Sequence, residues 1–269
     1  MDQCPMCGNS MTVNEVTCEV GENKGSVLMF HSCVGCGSVF APENTHAYVS
    51  ADDIGASSDP NRSERAGDGQ KWGREAYLAK YGLELCRSTF NDHGKKNVLF
   101  FGVGLSGDHK IISKYPDVNV SITDLDNFQN EPNYIPLNDE TKFDLVVVSE
   151  VIEHFENPKA DLENVYSKIK DNGLIVCTTN INDTFAPLER LTYPFIRGHT
   201  CYYSGLGLIT SALKHGVHCD FRNLDGSQSN LGPRKKAVFM FKNINYYVSL
   251  SEFFSRYWLF PSEKSKGKI

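Results

Sequence analysis

Four of the nine cysteines lie in two short motifs whose spacing suits a metal site. Cys4 and Cys7 belong to "CPMCG", and Cys33 and Cys36 belong to "CVGCG". Each motif places two thiolates one tight turn apart, as the tetrahedral coordination of zinc requires. The runs between the motifs are rich in β-forming residues and flank "GENKG", which predicts a hairpin. We therefore expect a zinc ribbon with a closed, structural four-thiolate site. Redox-active or incidental cysteine pairs are the alternative.

A second group of residues points to a nucleoside ligand. In "VLFFGVGLSG" an apolar run is followed by Gly102 and Gly104, and then by Ser106 and Gly107. Glycine is favoured where the backbone bends sharply or where another molecule approaches it closely. About twenty residues later, a second apolar run ends at Asp124, where a carboxylate can accept hydrogen bonds from both hydroxyls of a ribose. The glycine turn and the acid together predict a site for a nucleoside cofactor.

Ionisable residues follow a third apolar run, in "FDLVVVSEVIEHF". Glu150 lies at the end of this run, and Glu153 and His154 come one short turn later. His199 lies in a later loop, "IRGHTCYYS". Because histidine titrates near neutral pH, it is suited to moving a proton during a reaction. Histidines with local hydrogen bonds, at a helix start or in a surface loop, are the alternative interpretation.

The elements that must position these residues alternate along the chain. From residue 97, continuous apolar strands alternate with helical segments, which predicts a largely parallel sheet with helices on both faces. We expect seven strands, one of them short at "YIPL", and a helix over 157–173 with Gly173 as its stop. Another helix is expected to begin at Ser204, its N-cap. Ligands bind at the carboxyl ends of the strands in such sheets.

Composition limits the classes of function. The chain has 269 residues and a formal net charge of −6, which argues against nucleic acid or an anionic membrane as a partner. No stretch approaches the roughly 18 apolar residues that span a bilayer, and the first ten residues lack the apolar core of a signal peptide. We therefore expect a cytoplasmic protein without a membrane segment. The oligomeric state is not indicated by the sequence.

The predicted organisation has four parts. Residues 1–49 form the zinc ribbon, and the polar, glycine- and serine-rich residues 50–69 form a linker or lid. Residues 70–242 form the α/β domain, whose length allows one large core. Residues 243–269 form a C-terminal helix and a flexible tail. The aromatic segment of this helix is expected to cover the core, and lining the pocket or contacting a partner are the alternatives.

Four segments, taken in order, carry a resemblance to a known family. "VLFFGVGLSG", "ITDLD", "FDLVVVSEVIEHFENP" and "IKDNGLIVCTTN" resemble the motif set of class I S-adenosylmethionine-dependent methyltransferases. With its zinc-ribbon head, the chain is similar to bacterial small-molecule methyltransferases of sugar, polysaccharide or quinone biosynthesis. The resemblance implies a Rossmann-like α/β fold, S-adenosylmethionine as cofactor, and a sugar or biosynthetic intermediate as methyl acceptor. It implies that the cofactor is bound by Gly102, Gly104, Ser106, Gly107 and Asp124. From its position alone, Glu150 is expected to line the cofactor side and to replace in part the acid that the family has at the position of Phe100.

The resemblance also implies catalytic roles. His154 is the expected general base, Glu153 or another carboxylate orients it, and His199 faces the same cleft, with Tyr202 and Tyr203 near it. Two alternatives stay open, an RNA methyltransferase with a zinc module and a non-catalytic protein that keeps the fold.

The chain departs from the family pattern at three places. Phe100 stands where the family has an acid that helps to hold the methionine amine of the cofactor. Ser106 aligns with the third glycine of the turn, with Gly107 beside it. The span from Asp124 to Phe143 is short for the family's usual helix, and Asp139 is the candidate in it for the adenine contact.

Overall fold

The computed structural model describes residues 2–46, 72–183, 186–223 and 235–256. The expected linker or lid at 50–69 lies outside the described residues. The described part of the chain folds into a small antiparallel sheet and a larger, mostly parallel sheet that is covered by helices.

The small sheet contains the predicted hairpin. Strands β1 (Met11–Thr17) and β2 (Val27–Cys33) pair antiparallel, and β3 (Val39–Phe40) joins β2. The fourth strand, β8 (Cys201–Tyr202), comes from the far end of the chain and pairs with β3. The ribbon is therefore built into the rest of the molecule through a shared sheet.

The larger sheet and its helices follow the ribbon in the sequence. Their bounds are α1 (Arg74–Phe90), β4 (Lys96–Phe101), α2 (Asp108–Ile112), β5 (Val118–Thr123), β6 (Phe143–Ser149), α3 (Pro158–Ser167), β7 (Ile169–Asn180), α4 (Gly205–Leu213), β9 (His218–Asn223), β10 (Lys235–Phe241) and α5 (Asn245–Arg256). Short 3₁₀ turns lie at Ile152–His154, Leu188–Arg190 and Tyr193–Phe195. No helix in these ranges has the length and apolar character to cross a bilayer.

The strand order in the larger sheet is β5-β4-β6-β7-β10-β9. Strands β4 to β7 are parallel, and β10 runs antiparallel to both β7 and β9. The Rossmann-like α/β fold expected from the sequence is confirmed. The chain moves from β4 outward to β5 and then returns to the other side of β4 with β6, so the strand order reverses at β4. A crevice at the carboxyl ends of the strands is expected at such a reversal.

Each face of the sheet has its own apolar layer. On one face, Phe100 of β4 packs with the buried residues Leu78 of α1 and Tyr246 of α5. On the other face, β6 and β7 pack against α3, α4 and apolar residues of the ribbon, including Met6 and Phe40. The C-terminal helix therefore serves the core, as expected.

Three helix and strand predictions can be compared with the structure. The prediction of a strand at "YIPL" is wrong, because among the described residues this segment contributes only an isolated bridge between Tyr134 and Ile122. The helix over 157–173 was too long: α3 ends at Ser167, and Ile169 begins β7 beside Phe143. The predicted cap of α4 is confirmed, since the Ser204 side chain accepts a hydrogen bond from the Gly207 amide at 2.9 Å.

Candidate functional site

The glycine turn follows β4 at the point where the strand order reverses. Gly102 and Gly104 have φ values of +71° and +54°, in the left-handed region that favours glycine. The Gly102 amide donates to the Thr123 carbonyl at 2.8 Å, which extends the β4–β5 pairing into the turn. A Cβ atom on Gly102 would lie 2.5 Å from a methyl carbon of Val151, so the position has no room for a side chain.

Asp124 lies at the end of β5, beside the turn. One carboxylate oxygen accepts a hydrogen bond from the Gly104 amide at 2.7 Å, and the other accepts one from the Leu125 amide at 2.7 Å. Burial raises the pKa of this carboxyl, while the two amide hydrogen bonds oppose the rise. A carboxylate oxygen can accept more than one hydrogen bond. Asp124 thus shapes the turn and retains capacity for ribose hydroxyls.

The end of the turn differs from its start. Neither Ser106 nor Gly107 has a positive φ, so the backbone conformation at these two positions does not require glycine. The Ser106 carbonyl accepts hydrogen bonds from His109 Nδ1 at 3.1 Å and from Gln129 Nε2 at 3.0 Å. Gln129 also donates to the Gly104 carbonyl at 3.0 Å, so its side chain ties the two ends of the turn together.

Glu150 follows β6 and has an unusual backbone. Its φ of +57° is uncommon for a residue with a side chain, and such strain is often found at functional sites. One carboxylate oxygen pairs with Lys235 and lies 3.9 Å from the Arg74 guanidinium. The other oxygen is buried and has no hydrogen-bond partner in the described ranges. The negative charge of Glu150 is therefore matched by two cations of the protein.

The 3₁₀ turn after β6 brings Glu153 and His154 to His199. Ligand atoms of these three residues all lie within 4.8 Å of one another, a spacing that would also hold a metal ion. The two imidazole rings meet edge to face, with centroids 4.8 Å apart. Residues that are 45 positions apart in the sequence therefore form one cluster at the carboxyl end of β6.

Backbone carbonyls fix the tautomers of the two imidazoles. His154 Nδ1 lies 2.9 Å from the Gly198 carbonyl, and His199 Nδ1 lies 2.9 Å from the Tyr193 carbonyl. Since a carbonyl oxygen only accepts, each Nδ1 carries a proton, and in the neutral ring Nε2 holds the basic lone pair. The partner at His154 Nδ1 is thus a carbonyl, whereas we expected Glu153 or another carboxylate to orient the ring.

Burial controls the charges in this cluster. It lowers the pKa of His154, which favours the neutral imidazole. It raises the pKa of Glu153 to about 8, and the nearby Glu150 carboxylate adds to that rise. One Glu153 oxygen accepts a hydrogen bond from Thr179 at 3.2 Å, and the other is buried with no such partner in the described part of the chain. A neutral His154 imidazole can accept a proton, and the unpartnered Glu153 oxygen can bind a polar ligand.

The ribbon supports the loop that carries His199. Asn44 donates to the carbonyls of Ile196 and His199 at 2.8 and 3.1 Å. Immediately after this loop, β8 pairs with β3 of the ribbon. The loop that carries His199 is therefore held by the N-terminal module.

The four motif cysteines converge as predicted. Their sulfur atoms all lie within 4.8 Å of one another, with 3.7 Å between Cys4 and Cys36 and 3.4 Å between Cys7 and Cys33. The Cys4 thiol lowers the pKa of Cys36 to about 4, so the cluster favours a thiolate. Four sulfur donors at this spacing fit a tetrahedral zinc ion, and a site with four protein ligands is closed to substrate.

Three residues named from the sequence make local structural contacts. The Asp139 carboxylate accepts a hydrogen bond from the Thr141 amide at 2.8 Å, which closes a short turn. Tyr202 and Tyr203 are buried, and the Tyr203 hydroxyl donates to the Ile152 carbonyl at 3.0 Å. Both tyrosine side chains belong to the core.

Sequence reasoning missed several residues beside the turn. Arg74 and Glu75 come from α1, Gln129 from the segment after β5, and Lys235 from the start of β10. Their signals were weak, since each is one polar residue in an ordinary helix, loop or strand end. The charged start of α1, "GRE", just after Trp72, was the best available clue.

Comparison with known proteins gave one family match. A family model described as a methyltransferase domain matches residues 48–217, more than half of the chain. A search of the curated proteins found no match.

Three similar solved structures illustrate the range of likeness. A complex between the Haloferax volcanii Trm112 methyltransferase activator and a methyltransferase is 11% identical, covering 63% of this chain and 90% of that chain, with a TM-score of 0.45. The plantazolicin methyltransferase BpumL in complex with SAH is 15% identical, covering 72% and 93%, with a TM-score of 0.46. Human N-acetylserotonin methyltransferase in complex with SAM is 15% identical, covering 63% and 51%, with a TM-score of 0.43.

The family match spans the glycine turn, Asp124, Glu150, and the Glu153–His154–His199 cluster. The order of these features along the chain is the one that the sequence motifs predicted. The chain belongs to the methyltransferase domain family, and the protein is an S-adenosylmethionine-dependent methyltransferase.

Proposed function

We propose that the protein methylates a small-molecule acceptor, a sugar or a related biosynthetic intermediate, with His154 as the general base. The observation that carries this proposal is the cluster of Glu153, His154 and His199 at the carboxyl end of β6. It lies one strand away from the glycine turn of β4, since β4 and β6 are neighbours in the sheet. An acceptor bound at the cluster would therefore lie next to a cofactor bound at the turn.

The residues at the turn fit S-adenosylmethionine. The left-handed glycines leave a backbone surface without side chains, and Asp124 offers carboxylate oxygens to the ribose hydroxyls. Buried carboxylate oxygens of Glu75 and Glu150 lack hydrogen-bond partners within the described ranges, and the cofactor carries positive charge. Ser106 and Gly107 would line the same turn. When bound, S-adenosylmethionine supplies an electrophilic methyl group.

The chain's own residues then handle the acceptor. The Gly198 carbonyl holds the His154 ring by its Nδ1 proton, so Nε2 is the nitrogen that takes the acceptor's proton. Burial keeps this imidazole neutral and able to accept that proton. His199 is held in the same way by the Tyr193 carbonyl, and its ring, 4.8 Å from the His154 ring between centroids, would help to position the acceptor. Such alignment of the reacting groups accounts for much of the rate of a displacement.

Enclosure of the cluster favours a small acceptor over a polymer. Glu153 and His199 are only 1% and 8% exposed, and the ribbon supports the loop above them. The net charge of −6 offers no general attraction for a phosphate backbone. Both properties count against an RNA substrate, which is the second enzymatic candidate.

The proposal is tested by following isotope-labelled methyl groups. The protein is incubated with methyl-labelled S-adenosylmethionine and either the small-molecule fraction of a cell extract or total RNA. We expect label in the small-molecule fraction. The His154→Ala variant should bind the cofactor normally and lose about 10²- to 10⁴-fold in turnover. His93→Ala is the matched control, because His93 is exposed in the loop before β4.

Each other outcome has a distinct meaning. Label in the RNA fraction, with salt-dependent binding, would identify an RNA methyltransferase. Cofactor binding without transfer to either fraction would indicate a non-catalytic protein. Full turnover in His154→Ala would remove the proposed base. Loss of wild-type turnover after dialysis against a chelator of divalent cations, with the zinc still bound, would make the cluster a metal site rather than a base.

A further inference from the structure

The start of α1 is fixed to the glycine turn by a long-range cap. The N-cap residue of α1, Gly73, has no side chain that could cap the helix, and Asp108 takes over that role. Its two carboxylate oxygens accept hydrogen bonds from the amides of Gly73 at 2.9 Å and Ala76 at 3.0 Å. Asp108 is buried and begins α2, directly after the turn. The first turn of α1 therefore has a defined position beside residues 102–107.

Glu75 lies in this first turn and reaches the glycine turn. Its carboxyl group hydrogen-bonds the side chain of Ser106, and the carboxylates of Asp108 and Asp124 are near enough to repel its charge. Oxygen Oε2 of Glu75 is buried and has no hydrogen-bond partner in residues 2–46, 72–183, 186–223 and 235–256. Burial and the two neighbouring acids raise its pKa to about 8. The Arg74 guanidinium opposes this rise only in part, and its ion pair in the described residues is with Glu150.

The other acids around the turn are already matched. Asp108 caps α1, Asp124 accepts two amide hydrogen bonds, and Glu150 pairs with Lys235. Arg74, the chain neighbour of Glu75, donates through Nε to Ser149 at 2.8 Å and lies near Glu150. Glu150 Oε1 is also buried without a hydrogen-bond partner in the described ranges, but the charge of Glu150 is matched by Lys235 and Arg74. Within those ranges, Glu75 is therefore the acid at the turn that combines an unpartnered buried oxygen with no ion pair.

We propose that Glu75 binds the ammonium group of the cofactor's methionine part through its buried Oε2. A carboxylate and an ammonium form a charge-assisted hydrogen bond, which is stronger than a neutral one. Phe100 packs with α1 on the same face of the sheet, so the acid that β4 lacks at this position is supplied by the helix above it. The inference rests on the part of the proposed function that puts the cofactor at the turn.

Two ligands separate the ammonium contact from the rest of the site. S-adenosylhomocysteine carries the amino and carboxylate groups, whereas 5′-methylthioadenosine keeps the adenosine and lacks both. We expect Glu75→Gln to weaken S-adenosylhomocysteine by about 10- to 100-fold in calorimetric titration. Its affinity for 5′-methylthioadenosine should change less than twofold, which also shows that the variant is folded. Glu84→Gln is the matched control, because Glu84 is an exposed acid on the same helix.

The remaining outcomes contradict the inference in different ways. Equal losses for both ligands would mean that Glu75 only shapes the turn. An unchanged or improved affinity for S-adenosylhomocysteine in Glu75→Gln would mean that Glu75 does not face the ammonium group. If the wild-type protein binds neither ligand, the placement of the cofactor at the turn fails, and the inference fails with it.

Discussion

Gly102 allows a test of why glycine is required in the turn. Two separate penalties are expected for Gly102→Ala, because the residue has a φ of +71° and faces Val151. A left-handed backbone costs an alanine about 1 to 2 kcal/mol. The added Cβ would lie 2.5 and 2.8 Å from the two methyl carbons of Val151, and overpacking of this kind costs about 1 to 3 kcal/mol.

A matched glycine separates the two penalties. Gly216, after α4, has a φ of +68°, and a Cβ there would meet no atom within 4 Å. We expect Gly216→Ala to lower the free energy of unfolding by the backbone penalty alone, about 1 to 2 kcal/mol. Gly102→Ala should lower it by about 2 to 5 kcal/mol, the sum of both penalties.

A double-mutant cycle with Val151→Ala tests the steric contact directly. Removing the two methyl groups should recover about 1 to 3 kcal/mol of the loss in Gly102→Ala, beyond additivity. The measurement is urea unfolding of the zinc-loaded protein, monitored by circular dichroism, with equal m values required across the variants. If Gly102→Ala costs no more than Gly216→Ala, or if the cycle is additive within about 0.5 kcal/mol, the contact with Val151 does not explain the glycine.

Two further predictions concern the ribbon and the buried acid. Removal of zinc from the cysteine cluster should speed amide hydrogen exchange in the first turn of α4 more than in β9. The reason is that Ser204 caps α4 and also donates a hydrogen bond to the Cys36 carbonyl. Equal changes in exchange rate in α4 and β9 would contradict this prediction. The free energy of unfolding of the cofactor-free protein should fall as the pH rises from about 4.5 to about 8. Over this range Glu75 keeps its proton in the folded protein, where it faces Asp108, Asp124 and the Arg74 guanidinium, whereas it loses the proton in the unfolded chain. Glu75→Gln should reduce that fall by up to about 5 kcal/mol, at about 1.4 kcal/mol for each unit of pKa. Urea unfolding of both proteins across this pH range measures the effect. If the free energies of unfolding of the wild type and the variant change in parallel with pH, the prediction is contradicted.

The sequence predicted the features that depend on local patterns. Continuous apolar runs marked β4, β6 and β7, and the serine before an apolar helix marked the cap of α4. Local patterns were ambiguous at Gly173, which we interpreted as a helix stop. A Cβ at Gly173 would lie 2.7 Å from the Phe143 carbonyl, so this glycine permits close packing of two strands. The two uses of glycine have the same appearance in a sequence.

The site was predicted only where it depends on strand order. Carboxyl ends of neighbouring strands must meet, and this placed Asp124 and Glu150 near the turn. The position of Glu75 depends on Asp108, which caps a helix 35 residues earlier in the chain. The orientation of His154 depends on the Gly198 carbonyl, 44 residues away. Such contacts leave no spacing signal, because they are set by how a helix and a loop pack after folding.

Both sides of the site are completed by segments outside the parallel strands. The turn and Asp124 belong to β4 and β5, but α1 brings Arg74 and Glu75 to the cofactor side. On the acceptor side, the loop with His199 ends in β8, which is a strand of the ribbon sheet. The parallel core can therefore stay constant while changes in the ribbon reshape the acceptor side, since the hydrogen bonds from Asn44 to this loop pass directly between them. This separation gives the ribbon, with its closed four-cysteine site, a structural role beside the proposed acceptor site.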